Sequence, residues 1–371
     1  MRKKTINGVY GSILLVSLVG LALAIDNQHQ PIIPNLPTNT TLSALTVPAN
    51  GDVNPYGVAF VPIDFAKGGL LSPGDIAVAN FNNGSNAQGT GSTIVDVHPD
   101  GQVSLFFQGT SELGLTTALG ILHRGFVIVG SLPSPTGTCT QVGMEEQGVE
   151  QGSLLILDRD GNQVAELSDA ALLNGPWDLT VYDEGENVTV FVSNALSGTV
   201  TRLELKVPNV GSNIVVQSAT QIASGYMHRC DPAALVVGPT GLAYDAVNDI
   251  LYVSSTGDNT IFAIPQARRT QADAGMGTLV FQDDTHLHGP LALALAPNGD
   301  LLTAQGDAVN PDAAHPSEIV EFTPAGQFVA EFSVDPAPGS AFGLALATSG
   351  NTIRFAAVDD GLNVLDVWTI R

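Results

Sequence analysis

A short motif occurs six times along the 371-residue chain, and this recurrence constrains the fold more than any other feature. Each copy reads proline or alanine, any residue, a small residue or aspartate, and then an aliphatic residue. The third positions are residues 57, 120, 178, 241, 292 and 343, which lie 63, 58, 63, 51 and 51 residues apart. Repeats of this length with no helical pattern between them are typical of β-propellers. We therefore predict an all-β fold, a six-bladed β-propeller with four-stranded antiparallel blades.

Turn residues inside each repeat support four strands per blade. In the first repeat, apolar runs begin at Gly57, Asp75, Ser92 and Val103, and the turn Pro99-Asp100-Gly101 separates the last two. Asp-Gly pairs favour hairpin turns because glycine adopts positive φ without a Cβ clash. A β-sandwich with similarly spaced turns is the alternative. The ordered succession of turn types within each repeat favours the propeller.

The two ends of the chain are predicted to share the last blade. The sixth repeat contains only three strand-like runs, at residues 342–347, 352–358 and 362–370. Thr41–Val47, before the first motif, is a strand-like run without a partner of its own. Because open strand edges promote aggregation, we expect this N-terminal strand to complete the last blade. Residues 41–371 then form one propeller domain.

The N-terminus has the pattern of a cleavable signal peptide spanning residues 1–24. Arg2, Lys3 and Lys4 precede an apolar core at residues 13–23, which ends in the small-x-small sequence Ala22-Leu23-Ala24. Residues 25–40, rich in Pro, Asn and Gln, are predicted to be a flexible segment. No second apolar run reaches the length of a membrane span. We expect a secreted or periplasmic monomer.

Composition narrows the partners. Charged residues make up only 13% of the chain, yet its formal net charge is −23. An acidic surface disfavours nucleic acid and anionic membranes, which bind basic surfaces. The negative net charge has two remaining explanations: it keeps the protein soluble, or it binds divalent cations. A protein, a glycan or a small molecule remains as the class of partner.

Two cysteines, Cys139 and Cys230, are present. An even number of cysteines in an exported protein predicts a disulfide. The two connections that carry them leave an antiparallel blade from the same face, so a bridge between them is geometrically feasible. Two free thiols or two metal ligands are the alternatives.

Two of the repeats resemble the NHL-type six-bladed propeller of the gluconolactonase and amidating-lyase superfold. The resemblance rests on Pro55–Ala59, followed by Val78-Ala79-Asn80 and Thr93–Val97, and on the matching run from Pro239 to Ala243. This superfold includes lactonases, an amidating lyase, antibiotic lyases and non-enzymatic interaction domains. The resemblance therefore implies the fold and leaves the function open.

A ring of polar residues is predicted at one face of the propeller, where the second strand of each blade ends. Propellers bind ligands where loops from every blade converge, so this ring is a candidate ligand-binding funnel. The alternative is that each residue caps its own turn. The ring consists of Asn80, Ser131, Asn194, Ser255, Gln305 and Asp359.

Histidines in loops of the same face are candidate metal ligands. His228 and His286 lie 58 residues apart, about one repeat. Side chains of an extended segment alternate between its two sides, so the rings of His286 and His288 are expected on the same side. Imidazole and nearby carboxylates suit a divalent metal such as zinc, copper or calcium. The resemblance implies the same idea, because the amidating-lyase branch holds its metal with loop histidines. Surface histidines in polar loops are the alternative.

Asp178 and Arg229 are the candidate catalytic residues. Asp178 replaces the small residue of the third motif, which places a carboxylate near the propeller axis. Arg229 could orient a carboxylate substrate or pair with Asp231. Two functions follow: a binding or scaffold module that uses the funnel face, or a metal-dependent lyase or hydrolase. Whether the protein is an enzyme is left open by the sequence.

Overall fold

The computed structural model describes residues 30–110, 112–142, 145–208 and 213–371. Within these ranges every predicted repeat forms a four-stranded antiparallel sheet, and the six sheets are the blades of one propeller. The predicted fold class is confirmed. The predicted signal peptide lies outside the described residues. No helix in the described part of the chain is long and apolar enough to cross a membrane.

The strands of the first three blades follow the chain order, starting from the propeller axis. Blade 1 contains β2 (Val53–Phe60), β3 (Ile76–Asn82), β4 (Thr93–Val97) and β5 (Val103–Gln108). Blade 2 contains β6 (Leu115–Leu122), β7 (Phe126–Ser131), β10 (Ser153–Asp158) and β11 (Gln163–Leu167). Its insertion forms a small hairpin, β8 (Thr140–Val142) and β9 (Glu145–Gln147). Blade 3 contains β12 (Pro176–Asp183), β13 (Asn187–Asn194), β14 (Thr199–Lys206) and β15 (Val215–Ser224).

A second small hairpin precedes blade 4, formed by β16 (Arg229–Asp231) and β17 (Leu235–Val237). Blade 4 contains β18 (Pro239–Asp245), β19 (Ile250–Ser255), β20 (Thr260–Pro265) and β21 (Thr278–Phe281). Blade 5 contains β22 (Pro290–Leu295), β23 (Leu301–Gln305), β24 (Glu318–Phe322) and β25 (Phe328–Ser333). Blade 6 contains β26 (Ala341–Ser349), β27 (Thr352–Asp359), β28 (Val364–Ile370) and, from the N-terminal side, β1 (Leu42–Leu45).

The ring closes through the N-terminal strand, as predicted. β1 pairs antiparallel with β28, with Leu42 opposite Val367 and Leu45 opposite Val364. The Thr46 N–H donates to the Asn363 carbonyl at 2.9 Å, which extends the pairing beyond the strand. The outer edge of the last blade is therefore covered by the start of the domain.

Part of the lead-in that the sequence predicts to be flexible packs on blade 5. Ile32 and Ile33 are buried, and a 3-10 turn spans Ile33–Asn35. The backbone N–H groups of Ile32 and Ile33 donate to the Glu321 carboxylate at 2.7 and 2.8 Å. The two isoleucines belong to a buried apolar cluster with residues of blades 5 and 6, so this part of the lead-in packs on the propeller.

The small residue of the repeated motif is required by the close approach of inner strands around the axis. A Cβ atom on Gly343 would lie 2.0 Å from the Tyr56 carbonyl oxygen, and one on Gly241 would lie 2.2 Å from that of Leu291. Both distances are far shorter than real Cβ contacts. The small residue of the motif is therefore a consequence of the packing of one blade against the next.

The two faces of the ring differ. We call the face where the second strands end the lid face; it carries the loops between second and third strands and the connections between blades. We call the opposite face, where the inner strands end, the open face.

Candidate functional site

Aromatic residues close the propeller axis near the lid face. They occupy the second position of the repeated motif in three blades: Tyr56, Trp177 and Phe342, at 3%, 2% and 9% exposure. The Tyr56 ring stacks on Phe342 with centroids 4.0 Å apart and on Phe81 with centroids 4.5 Å apart. Phe81 meets Trp177 edge to face at 5.5 Å. We call these four rings the plug.

The hairpin β16–β17 lies over the plug and crosses the axis. The hairpin leaves the six-bladed ring at the junction of blades 3 and 4. The Gln88 side chain of blade 1 donates to the Ala233 carbonyl of the hairpin at 2.8 Å. Blade 1 lies opposite blade 4, so the hairpin spans the ring. Leu235 and Val236 belong to the same buried cluster as the plug. We call this hairpin the lid.

A disulfide fastens the lid to the insertion of blade 2. Cys139 and Cys230 are bonded, with Cα atoms 5.2 Å apart, so the predicted pairing is confirmed. Within the lid, the Arg229 guanidinium pairs with the Asp231 carboxylate at 3.0 Å. The other Asp231 oxygen accepts the Ala233 N–H at 2.9 Å, which shapes the hairpin turn. Arg229 therefore holds its own hairpin, and a catalytic role for it stays a prediction.

A pocket of about 340 Å³ runs along the axis from the plug toward the open face. Its walls come from the inner strands of all six blades and are mostly aliphatic. Exposure rises toward the ends of these strands: Phe60, Val181, Tyr244 and Leu346 are half-buried, whereas residues nearer the plug are buried. The pocket therefore opens on the face opposite the lid.

Asp178 lies at the inner end of this axial pocket. Its Oδ1 accepts the Leu179 N–H at 2.8 Å, and its Oδ2 accepts the Leu242 N–H at 2.9 Å, which bridges β12 to β18 of the next blade. Burial raises the pKa of this carboxyl to about 7, against the effect of the two N–H groups. Among the described residues that line the pocket, none is Lys, Arg or His. The structure thus places the predicted axial carboxylate at the inner end of the pocket, and a catalytic role for it stays a prediction.

The six residues of the predicted ring all lie on the lid face, and all are nearly or fully buried: Asn80, Ser131, Asn194, Ser255, Gln305 and Asp359. Several of their polar atoms bond to neighbouring loops. The Ser131 hydroxyl donates to the Leu113 carbonyl at 2.7 Å, and the Gln305 side-chain oxygen accepts the His288 N–H at 2.8 Å. Ser255 and Asp359 bond within their own turns, to the Asp258 carboxylate and the Leu362 N–H. A ligand-binding role for the ring stays a prediction.

Each of the predicted metal-binding histidines has a hydrogen-bond partner in its own loop or in a neighbouring loop. His286 Nδ1 lies 2.6 Å from the Asp283 carboxylate, and its ring stacks on Phe328. His288 is buried, and its Nδ1 bonds to the Asn310 carbonyl. His228 Nδ1 lies 3.2 Å from the Tyr226 carbonyl. A metal site on these histidines stays a prediction; in the described part of the chain, the one tight group of three metal-ligating side chains is Asp75, Asp96 and His98.

Comparison with known proteins supports the fold. No protein-family model matches the chain, and no curated protein matches its sequence. A solved structure named as a candidate gluconolactonase is 13% identical with a TM-score of 0.54, covering 91% of this chain and 94% of that one. Regucalcin from Agrobacterium tumefaciens strain C58, named as a calcium-binding protein, is 12% identical with a TM-score of 0.50, covering 89% and 96%.

This chain has the gluconolactonase and regucalcin type of propeller fold. At these identities the likeness concerns the fold alone. NHL repeats stay a prediction, since no family model matches.

Sequence reasoning missed the plug, the lid and the pocket. A signal for the plug is present, because three of the six second positions of the motif are aromatic. The lid had no comparable signal, since its position over the axis depends on contacts with blades 1 and 2. The sequence also gave no sign of which end of the axis is open.

Proposed function

We propose that this protein is a binding module that holds a small organic cation in the axial pocket, at the open face. The observation that carries the proposal is the position of Asp178, a buried carboxyl at the inner end of an aliphatic pocket without a basic residue in its described lining. Above pH 7 this carboxylate lacks a counter-charge, and an organic ammonium group would supply one.

The walls and the overall charge fit such a ligand. Most lining residues are aliphatic, with Thr117 and Thr180 among the polar ones, so the apolar body of a ligand gains free energy where it covers the aliphatic side chains. The net charge of −23 raises the local concentration of cations around the protein. The volume of about 340 Å³ suits a small molecule.

The binding site of the module then lies on the open face, whereas the sequence predicts it at the lid face. On the lid face the plug and the lid cover the axis, and the predicted ring residues are buried. The alternative function, a metal-dependent lyase or hydrolase, remains an outcome of the test.

Cyclohexylamine and cyclohexanol are matched probes for isothermal titration calorimetry, because they share a ring and differ in charge. At about pH 8 we expect the amine to bind the wild type at least tenfold more tightly than the alcohol. Asp178→Asn should abolish this preference. Glu318→Gln is the matched control, because Glu318 is also a buried carboxyl whose pKa burial raises to about 7, and it lies outside the pocket.

Equal binding of the two probes, or the same preference in Asp178→Asn, would refute the proposal. Turnover of a sugar lactone in the presence of a divalent metal, lost in Asp178→Asn, would favour the hydrolase instead.

A further inference from the structure

Three metal-ligating side chains meet on the open face of blade 1. Asp75 precedes β3, Asp96 lies in β4 and His98 follows β4. His98 Nδ1 lies 3.2 Å from Asp75 Oδ1 and 3.6 Å from Asp96 Oδ2. One ligand atom from each residue falls within 4.8 Å of the others. No other group of three in the described ranges meets this distance.

Asp96 points to a ligand independently of this clustering. Its side chain is 1% exposed, and neither carboxylate oxygen has a hydrogen-bond partner among the described residues. A buried carboxylate without hydrogen bonds is unfavourable relative to one in water, so such groups gain a proton, a partner or a metal ion. Asp75 differs, because its Oδ2 accepts the Ser72 N–H at 2.8 Å while Oδ1 faces His98.

Blade 5 contains an equivalent pair of acidic residues, but there the buried carboxylate receives hydrogen bonds. Glu321 occupies the position of Asp96, and Asp300 precedes the second strand there as Asp75 does in blade 1. Two backbone N–H groups, from Ile32 and Ile33, donate to Glu321. Asp96 receives no such hydrogen bonds from the part of the chain that the structure describes. The carboxylate at this buried position is therefore hydrogen-bonded in blade 5, whereas in blade 1 it receives no hydrogen bond from the described residues.

We propose that Asp75, Asp96 and His98 bind one divalent first-row transition-metal ion, with Zn²⁺ as the probe. Two carboxylates and one imidazole form a donor set that Zn²⁺ binds well, and the imidazole disfavours calcium and magnesium, which prefer oxygen. The His98 side chain is 33% exposed, so water has access to complete the coordination.

The ion would strengthen the seam where the ring closes. The Gly74 carbonyl, next to Asp75, accepts a hydrogen bond of 2.8 Å from the Arg354 guanidinium of blade 6. Asp75 also ends the long β2–β3 connection, whose Val61 N–H donates to the Asp75 carbonyl at 2.8 Å. A metal ion here joins this connection to β4 beside the blade 6 contact. Its role is structural, and it is separate from the axial pocket.

Zn²⁺ titration of full-length protein freed of metal by a chelator tests the proposal, with calorimetry for stoichiometry and the visible absorption of Co²⁺ for the ligand set. We expect one equivalent to bind the wild type, and at least a tenfold loss of affinity in both Asp96→Asn and His98→Gln. His315→Gln is the matched control, because His315 also pairs with an aspartate, Asp312, at 3.1 Å on the surface. It should bind like the wild type.

Thermal melting keeps the test independent of folding defects. Metal-free Asp96→Asn should melt at or above the metal-free wild type, because an uncompensated charge is removed. Zn²⁺ should raise Tm by several degrees in the wild type and in His315→Gln, and should leave Asp96→Asn and His98→Gln unchanged. Absence of stoichiometric binding would show that Asp75 and Asp96 share only a proton. Loss of binding in His286→Ala/His288→Ala but not in His98→Gln would place the ion on the lid face. Either result overturns the proposal.

Discussion

Replacing Asp178 by asparagine should change how stability depends on pH. The folded protein holds this carboxyl at a pKa of about 7, because burial penalises its charge, and the ordinary value is 3.8. Between these values the folded state binds a proton that the unfolded state has released. Stability from this group is therefore fully present below the unfolded pKa and is lost as pH rises through about 7.

The size of the effect follows from linkage. A shift of about three pKa units corresponds to about 4 kcal/mol in total, at about 1.4 kcal/mol per unit. Between about pH 5 and pH 8 the wild type should lose about 2.5 kcal/mol of this contribution. Asparagine cannot titrate, but its amide N–H₂ must face one of the two backbone donors, Leu179 or Leu242. That conflict costs about 1–3 kcal/mol at every pH.

Urea unfolding of both proteins at several pH values from about 5 to 8 measures the prediction. Burial also raises the pKa of Asp96, Glu318 and Asp360 to about 7, so the wild-type profile alone is not specific. The difference between wild type and Asp178→Asn isolates one group and should shrink by about 2.5 kcal/mol across this range. Glu166→Gln, an exposed change on β11, is the control. A difference that stays constant with pH would refute the reasoning.

Three further changes test the architecture. Deleting residues through Val47 removes β1 and should lower stability by several kcal/mol, since each lost ladder hydrogen bond is worth about 1 kcal/mol; an unchanged Tm would contradict ring closure by this strand. Cys139→Ser/Cys230→Ser opens a loop with a sequence separation of 91 residues and should cost up to about 4 kcal/mol, measured by denaturant unfolding, with faster amide exchange in the lid. Trp177→Ala should cost about 3–5 kcal/mol by leaving a cavity in the plug, whereas Trp177→Phe should cost less; equal melting temperatures for the two variants would argue against a packed plug.

The sequence by itself determined the blade count, the four-strand blades and the closure by the N-terminal strand. These features follow from short-range sequence patterns that recur in each repeat. Alternating apolar runs and Asp-Gly turns define the strands, and Gly241 and Gly343 occupy motif positions where a Cβ would strike the neighbouring blade. The disulfide was also predictable, because only one pairing exists for Cys139 and Cys230.

Only the tertiary structure decided which end of the axis is open and which acids lack partners. The lid comes from the blade 3–4 junction and reaches Gln88 in blade 1, a contact that no local pattern specifies. Glu321 and Asp96 look alike in sequence, yet only Glu321 receives N–H donors, from Ile32 and Ile33 almost 290 residues earlier. Partners so distant in the chain are set by how the ring closes, so their effect on a buried charge appears only in the folded protein.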